Sequence, residues 1–217
     1  MKSILLLEKE ISKVYQNIPE SIELAYNEIN DQPIGDKEIT KSILYRLHTF
    51  YRYQYRLNTF YKRGYTPPAA DFFTETVLYY LNVFFKINKL DYEIKSEVAI
   101  KRKRGSIRPD ISIWKGEDVI AIIECKTQLG YNRHSWQENF LSREQHLKND
   151  FPMAKAFLLV MTARNWENNH GFANYPERGQ KYFVLTDRWP SDIDFDVAHQ
   201  EYIIDCIEPL FEQISKM

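Results

Sequence analysis

Three short runs in which apolar residues alternate with polar ones, at 97–103, 108–114 and 119–128, constrain this chain more than any other feature. A period of two places alternate side chains on opposite faces of a strand. The runs are separated by Arg104-Gly105-Ser106 and Lys115-Gly116-Glu117-Asp118, both fit for tight turns. A three-strand antiparallel meander is predicted. Ser135 with Glu138 has the pattern of a capping box, opening a helix through Trp136, Phe140 and Leu147 that ends near Asn149, before Pro152. An apolar run at 156–162 follows. A strand, one helix and a strand fit a right-handed crossover with those two strands parallel, and 181–186 reads as a fifth strand.

Helices flank this sheet. Ile43, Leu47, Phe50, Leu57 and Tyr61 form one stripe of a long helix from about Asp36, interrupted by Gln54. Pro67 and Pro68 mark a break, with Asp71 as N-cap of a second helix that buries Phe73, Val77, Tyr80, Leu81 and Phe84. The tail from 196 to 216 reads as a helix with Ile203, Ile207 and Leu210 inward and Pro209 as an irregularity. With no repeat or Gly/Ser linker, the 217 residues are read as one compact unit: a helical region, 1–65, packed on a core, 66–217.

Composition removes several classes. No apolar run approaches the ~20 residues of a membrane span, and the Ile4 to Leu7 patch lacks the rest of a secretory signal. A cytoplasmic protein with no membrane partner is expected. Two cysteines exclude a disulfide scaffold. No phosphate-cradling Gly-rich loop, nucleophile elbow or dinucleotide fingerprint is present. His134, His146 and His199 lack ligand spacing, and Asn169-His170 has none of the surroundings of a histidine-metal nuclease motif. The net charge of -1 conceals segregation: residues 37–63 sum to +6 and residues 187–217 to -6. A polyanion would meet one face only.

The chemistry concentrates in Arg108-Pro109-Asp110-Ile111-Ser112-Ile113-Trp114 and Ile122-Ile123-Glu124-Cys125-Lys126-Thr127-Gln128. Alternation puts Glu124, Lys126 and Gln128 on one face, and antiparallel pairing brings Asp110 close to Glu124. Charges at the end of an apolar strand are costly unless paired or bound to metal. Two carboxylates and a backbone carbonyl, that of Cys125, suit Mg²⁺, which keeps several waters in an incomplete cage. Lys126 beside them suits phosphodiester hydrolysis. The plain alternative is a solvated strand end with a Glu124–Lys126 ion pair.

Pro109-Asp110 followed by Glu124-Cys125-Lys126, in this order of elements, resembles the PD-(D/E)XK nucleases, the type II restriction endonucleases and related repair enzymes. The resemblance covers about the middle half of the chain. It implies an α/β, restriction-endonuclease-like core of helix, meander, helix and strand, with Asp110 and Glu124 as ligands of Mg²⁺, replaceable by Mn²⁺, and Lys126 as the catalytic ammonium. Glu75 is implied as a supplementary acid, with Glu97 its competitor, and Gln128 matches a polar position of many members. The implied partners are double-stranded DNA, a second copy so that both strands are cut, and a cognate DNA methyltransferase. Lys101, Arg102, Lys103, Arg104 and Arg108 would neutralise phosphates at the mouth of the site. The helix bearing Arg46, Arg52, Tyr53, Arg56, Lys62 and Arg63 is read first as packing its aromatics between helices, its exposed arginines being placed to touch a nucleic-acid backbone, whereas the amide-rich stretch 163–170 is read as a polar loop. The rival expectations are a structure-selective repair or junction-resolving nuclease, and a catalytically silent binding module.

Overall fold

The computed structural model describes residues 3–29, 33–66, 69–129, 135–164, 176–196 and 201–217. It is an α/β structure with five helices, α1 (Ile4–Glu28), α2 (Glu38–Tyr61), α3 (Ala70–Ile87), α4 (Trp136–Asp150) and α5 (Glu208–Ser215), around one mixed sheet. The strands β1 (Glu93–Ser96), β2 (Ile111–Lys115), β3 (Asp118–Lys126), β4 (Lys155–Thr162) and β5 (Tyr182–Thr186) lie in sequence order. The first two pairings are antiparallel and the last two parallel, with α4 as the crossover between β3 and β4. No helix among the described residues is long and apolar enough to cross a membrane.

Alternation along the strands sorts the core into two layers. Ala121, Ile123 and Cys125 of β3, with Phe157, Leu159 and Met161 of β4, face α2, α3 and α5. Val119 and Ile122, with Ala156, Leu158 and Val160, face α4 through Trp136, Phe140 and Leu147. β3 and β4 are therefore covered on both sides, which is why they read as continuous apolar runs. Because α2 shares its cluster with α3 and the sheet, residue 65 does not divide the core. α1 has no buried residue and meets the other helices through Tyr15, whose hydroxyl lies 2.8 Å from that of Tyr53 on α2, and Tyr26, whose carbonyl accepts from Lys86 of α3 at 2.6 Å.

The first strand is not where alternation puts it. It occupies Glu93–Ser96, and residues 97–103 leave the sheet. Glu97 takes the left-handed conformation, φ 53°, and turns its N–H to the carbonyls of Pro109 and Asp110 at 3.1 and 3.3 Å. A strand cannot continue through such a residue. The alternation at 97–103 serves a smaller excursion, closed by Ile100 N–H on Ile107 O at 3.2 Å and turned at Gly105, φ 77°.

Three terminal details also differ. The second helix is capped at Ala69, with Asp71 inside its first turn. Ser135 is the N-cap of α4 but its hydroxyl caps no backbone N–H; Asn139 Nδ2 donates to it at 3.4 Å. The C-terminal helix spans only Glu208–Ser215, and Pro209 is its first-turn residue, where a missing N–H costs nothing. Upstream, Ile203 pairs with Thr186, while the N–H groups of Ile204 and Asp205 bond the carbonyls of Leu185 and Val184 at 2.9 Å, closing the outer edge of β5. Pro67, Pro68, Asn165–His170, His134 and His199 lie outside the described residues.

Thr40 joins the N-terminus of α2 to α5. It is fully buried; its hydroxyl donates to Glu208 Oε2 at 2.5 Å and accepts from Ile207 N at 2.9 Å, and its own N–H donates to Glu208 Oε1 at 3.0 Å. Thr40→Val keeps the shape but strands a buried N–H and a carboxylate oxygen. A loss of about 1–3 kcal/mol is expected in urea unfolding; an unchanged midpoint and slope would contradict this role.

Candidate active site

The site forms where β3 ends. β2 and β3 pair Ile111 with Ile123, so Asp110, just before β2, stands beside the last residues of β3. Its carboxylate Oδ2 accepts the N–H of Cys125 at 2.7 Å and the ammonium of Lys126 at 3.1 Å. Its own carbonyl is fixed by Ser96 Oγ at 2.8 Å. The turn between the strands depends on Gly116, φ 63°, a conformation that glycine adopts without a Cβ penalty. This short connection sets the register that places Asp110.

Glu124 follows Ile122 on the face of the sheet that meets α4, and only 2 % of it is exposed. Two cations answer it. Arg143 of α4 donates Nη1 to Glu124 Oε1 at 2.8 Å and to the carbonyl of Arg108 at 3.2 Å. Lys126 Nζ stands 3.8 Å from Glu124 Oε2. Burial, and then the neighbouring Asp110 charge, push the Glu124 carboxyl up to about 7, against the opposing pull of Arg143 and Lys126. Asp110, Glu124, Lys126 and Arg143 are thus two acids and two bases of balanced formal charge. Cys125 points into the other layer, where burial pushes its thiol well up and the Thr74 side chain hydrogen-bonds it.

Asp110, Glu124 and Lys126 are brought together as strand pairing predicts. Glu75 is exposed on α3, and none of the hydrogen bonds or ion pairs described for the cluster involves it; Glu97 is exposed beyond β1. Gln128 lies past the end of β3, which stops at Lys126. The basic excursion is turned elsewhere. Lys103 pairs with Asp150 at 2.5 Å and Lys101 covers the Phe151 ring at 4.7 Å, both at the end of α4. Arg143 is seven residues earlier, about 10 Å along a helix, so these lysines do not line the cluster. Arg102, Arg104 and Arg108 are exposed. Of the amide-rich stretch, Arg164 pairs with Asp192 at 2.7 Å. His146 is exposed on α4.

Arg143 is the residue that the sequence reading misses. Its signal is faint: four from Asn139, three from Phe140 and four from Leu147, it sits beside the apolar stripe of a helix already assigned to the crossover.

The donor set suits a hard divalent ion in part. Asp110 Oδ2 and Glu124 Oε2 lie 3.1 and 3.8 Å from the same atom, Lys126 Nζ, so both carboxylates face the space that the ammonium occupies. No group of three His, Cys, Asp or Glu side chains that could hold a metal occurs among the described residues, so water and main chain would complete the shell, the habit of Mg²⁺. Comparison of the chain with protein-family models, with curated proteins and with solved structures found no match.

Two outcomes follow for Glu124. Its proton is held to higher pH in the folded chain than at the ordinary value of 4.5, so between 4.5 and about 7 the folded state binds more protons and stability falls as pH rises. Glu124→Gln should flatten that part of the stability–pH curve; an unchanged slope in urea titrations at pH 5, 6 and 7 would contradict the shift. Arg143→Met should cost about 1–3 kcal/mol at pH 8 and less at pH 5, where Glu124 can protonate instead. Equal losses at both values would show that Arg143 does not compensate that carboxylate.

Proposed function

We propose that the chain is a divalent-metal-dependent endonuclease that hydrolyses phosphodiester bonds in double-stranded DNA, with a PD-(D/E)XK type of site. The observation that carries the reading is the meeting of Asp110, Glu124 and Lys126 across two adjoining strands. The surrounding order supports it: α3, the meander β1 to β3, the crossover helix α4 and the parallel strand β4 follow one another as in the restriction-endonuclease-like core.

The chain's own residues divide the work by position. Asp110 and Glu124 would hold Mg²⁺ or Mn²⁺, with the Cys125 carbonyl as the nearest main-chain donor. When bound, such an ion supplies an acidified water and screens phosphate charge. Lys126, already within hydrogen-bond distance of Asp110, presents an ammonium beside the reacting phosphate and stabilises the charge that grows on its oxygens. Arg143 keeps one Glu124 oxygen aimed and compensated, leaving Oε2 toward Lys126. Metal binding needs the carboxylate form, so affinity should climb as pH rises through about 7.

A second reading is favoured by one specific feature: the four charges satisfy one another without an ion, as they would in a catalytically silent module that retains the cluster for structure. Incubation of the protein with mixed-sequence plasmid and Mg²⁺ separates the two. Cutting that stops with chelator, and falls by several orders of magnitude in Lys126→Ala while Mn²⁺ binding persists, is expected because the lysine acts in the transition state. Duplex binding without any cleavage supports the silent module. Discrete fragments indicate restriction, and selective cutting of branched substrates indicates repair.

A further inference from the structure

α2 outruns the core on which it packs. His48 Nδ1 lies 2.9 Å from the carbonyl of Pro190, and the ring of Tyr51 lies 4.8 Å from that of Trp189, both just past β5. Phe50 stacks on Phe72 of α3 at 4.5 Å, and two residues on, the Thr74 side chain bonds the Cys125 thiol near the end of β3. α2 therefore leaves the core at the end of the sheet that carries Asp110, Glu124 and Lys126. Residues 52–61 continue for about 15 Å of helix, and only Asn58 among residues 52–66 is buried. Lys62, φ 53°, closes the helix. Arg63 N–H then bonds Asn58 O at 2.8 Å and Asn58 Nδ2 donates to Thr66 Oγ1 at 3.0 Å, which folds the tip back on the helix.

The projecting end shows solvent two kinds of side chain. Tyr53, Tyr55, Phe60, Tyr61 and Tyr65 are 42–77 % exposed, and every exposed large apolar side chain in residues 52–66 is one of these rings. Arg52, Arg56, Lys62 and Arg63 are exposed among them, and residues 39–70 contain no acid in a chain whose net charge is -1. Arg52 and Arg56 stand four apart, a like-charge pair that disfavours a helix. No ion pair among the described residues involves any of these four bases. Arg63 lies over the rings of both Tyr61 and Tyr65 at 5.9 Å. α1 meets this segment at Tyr15, and its first half sets Glu8 and Glu10 against Lys9 and Lys13, bringing no net charge. Rings and cations without acids match a ligand made of flat bases and phosphates. A bilayer or an apolar protein groove takes aliphatic anchors as readily as aromatic ones, and a closed duplex offers its phosphates while keeping its base faces stacked inside. We propose that the projecting end of α2 is a platform for an unpaired strand of DNA, its cations on the phosphates and its rings on successive bases. Resting on the nuclease reading, this makes the substrate a duplex with a single-stranded segment beside the bond that is cut.

Fluorescence anisotropy of the full chain in chelator, where nothing is cut, tests this with labelled mixed-sequence DNA of about 20 nucleotides, offered as a single strand, as a blunt duplex and as a duplex with an overhang. The single strand and the overhang duplex should bind about tenfold more tightly than the blunt duplex, with affinity falling as salt rises. Arg52→Glu with Arg56→Glu should weaken single-strand binding about tenfold or more. Phe60→Ala with Tyr61→Ala should weaken it about tenfold while leaving the blunt duplex unaffected, because only an unpaired base can stack on the rings. All four side chains are exposed, so far-UV circular dichroism should be retained. Equal affinity for the single strand and the blunt duplex, a single-strand affinity indifferent to both double variants, or tighter binding to phosphatidylserine vesicles than to the strand overturns the proposal. Cutting of plasmid with Mg²⁺ but no preference for the unpaired strand overturns the platform alone. A preference for the strand with no cutting overturns the nuclease reading alone.

Discussion

Glu124 is a carboxylate with almost no access to water, and the arrangement of the sheet around it follows from that cost. An unpaired charge at such a position loses several kcal/mol. Arg143 arrives from α4 because β3, α4 and β4 form a crossover that lays the helix on the face where Glu124 emerges. Lys126 arrives because it is two residues along the same strand. Asp110 is held by the same end of β3, its carboxylate bonded to the Cys125 N–H. Arg143 from α4 and Asp110 from the chain just before β2 thus converge on the end of β3, which already carries Glu124 and Lys126.

The cluster is nearly neutral, two acids against two bases, and in the proposed function the same balance would be what a cation perturbs. Glu124 sits close to the boundary between protonated and ionised states, and Arg143, about 40 % exposed at its side chain, is the partner with room to move. An incoming cation would meet carboxylates whose positions are already set, so little ordering remains to be done on binding.

Much of the sheet was legible in the residues, since β2 to β5 show apolar alternation or buried runs bounded by turns. The Gly116 hairpin and the crossover then fix which residues stand opposite one another, and the proximity of Asp110 and Glu124 follows. Less could be read where local pattern and tertiary context disagree. The alternation at 97–103 belongs to a loop, because the left-handed Glu97 ends β1 and its N–H is taken by the chain before β2. The tail at 196–216 carries helix-like apolar spacing, but Ile203 to Asp205 are claimed by the edge of β5. Arg143 is invisible without coordinates, since its role depends on which turn of α4 crosses Glu124. Glu75 matches the resemblance by order in the chain, whereas its exposed side chain is set by the rotation of α3 on its core.

The most direct test is diffraction from crystals soaked in Mn²⁺, using its anomalous scattering. A peak is expected about 2.1 Å from an oxygen of Asp110 and an oxygen of Glu124, with Lys126 adjacent. No peak at millimolar Mn²⁺, with Arg143 and Glu124 still paired, would contradict a metal-dependent site.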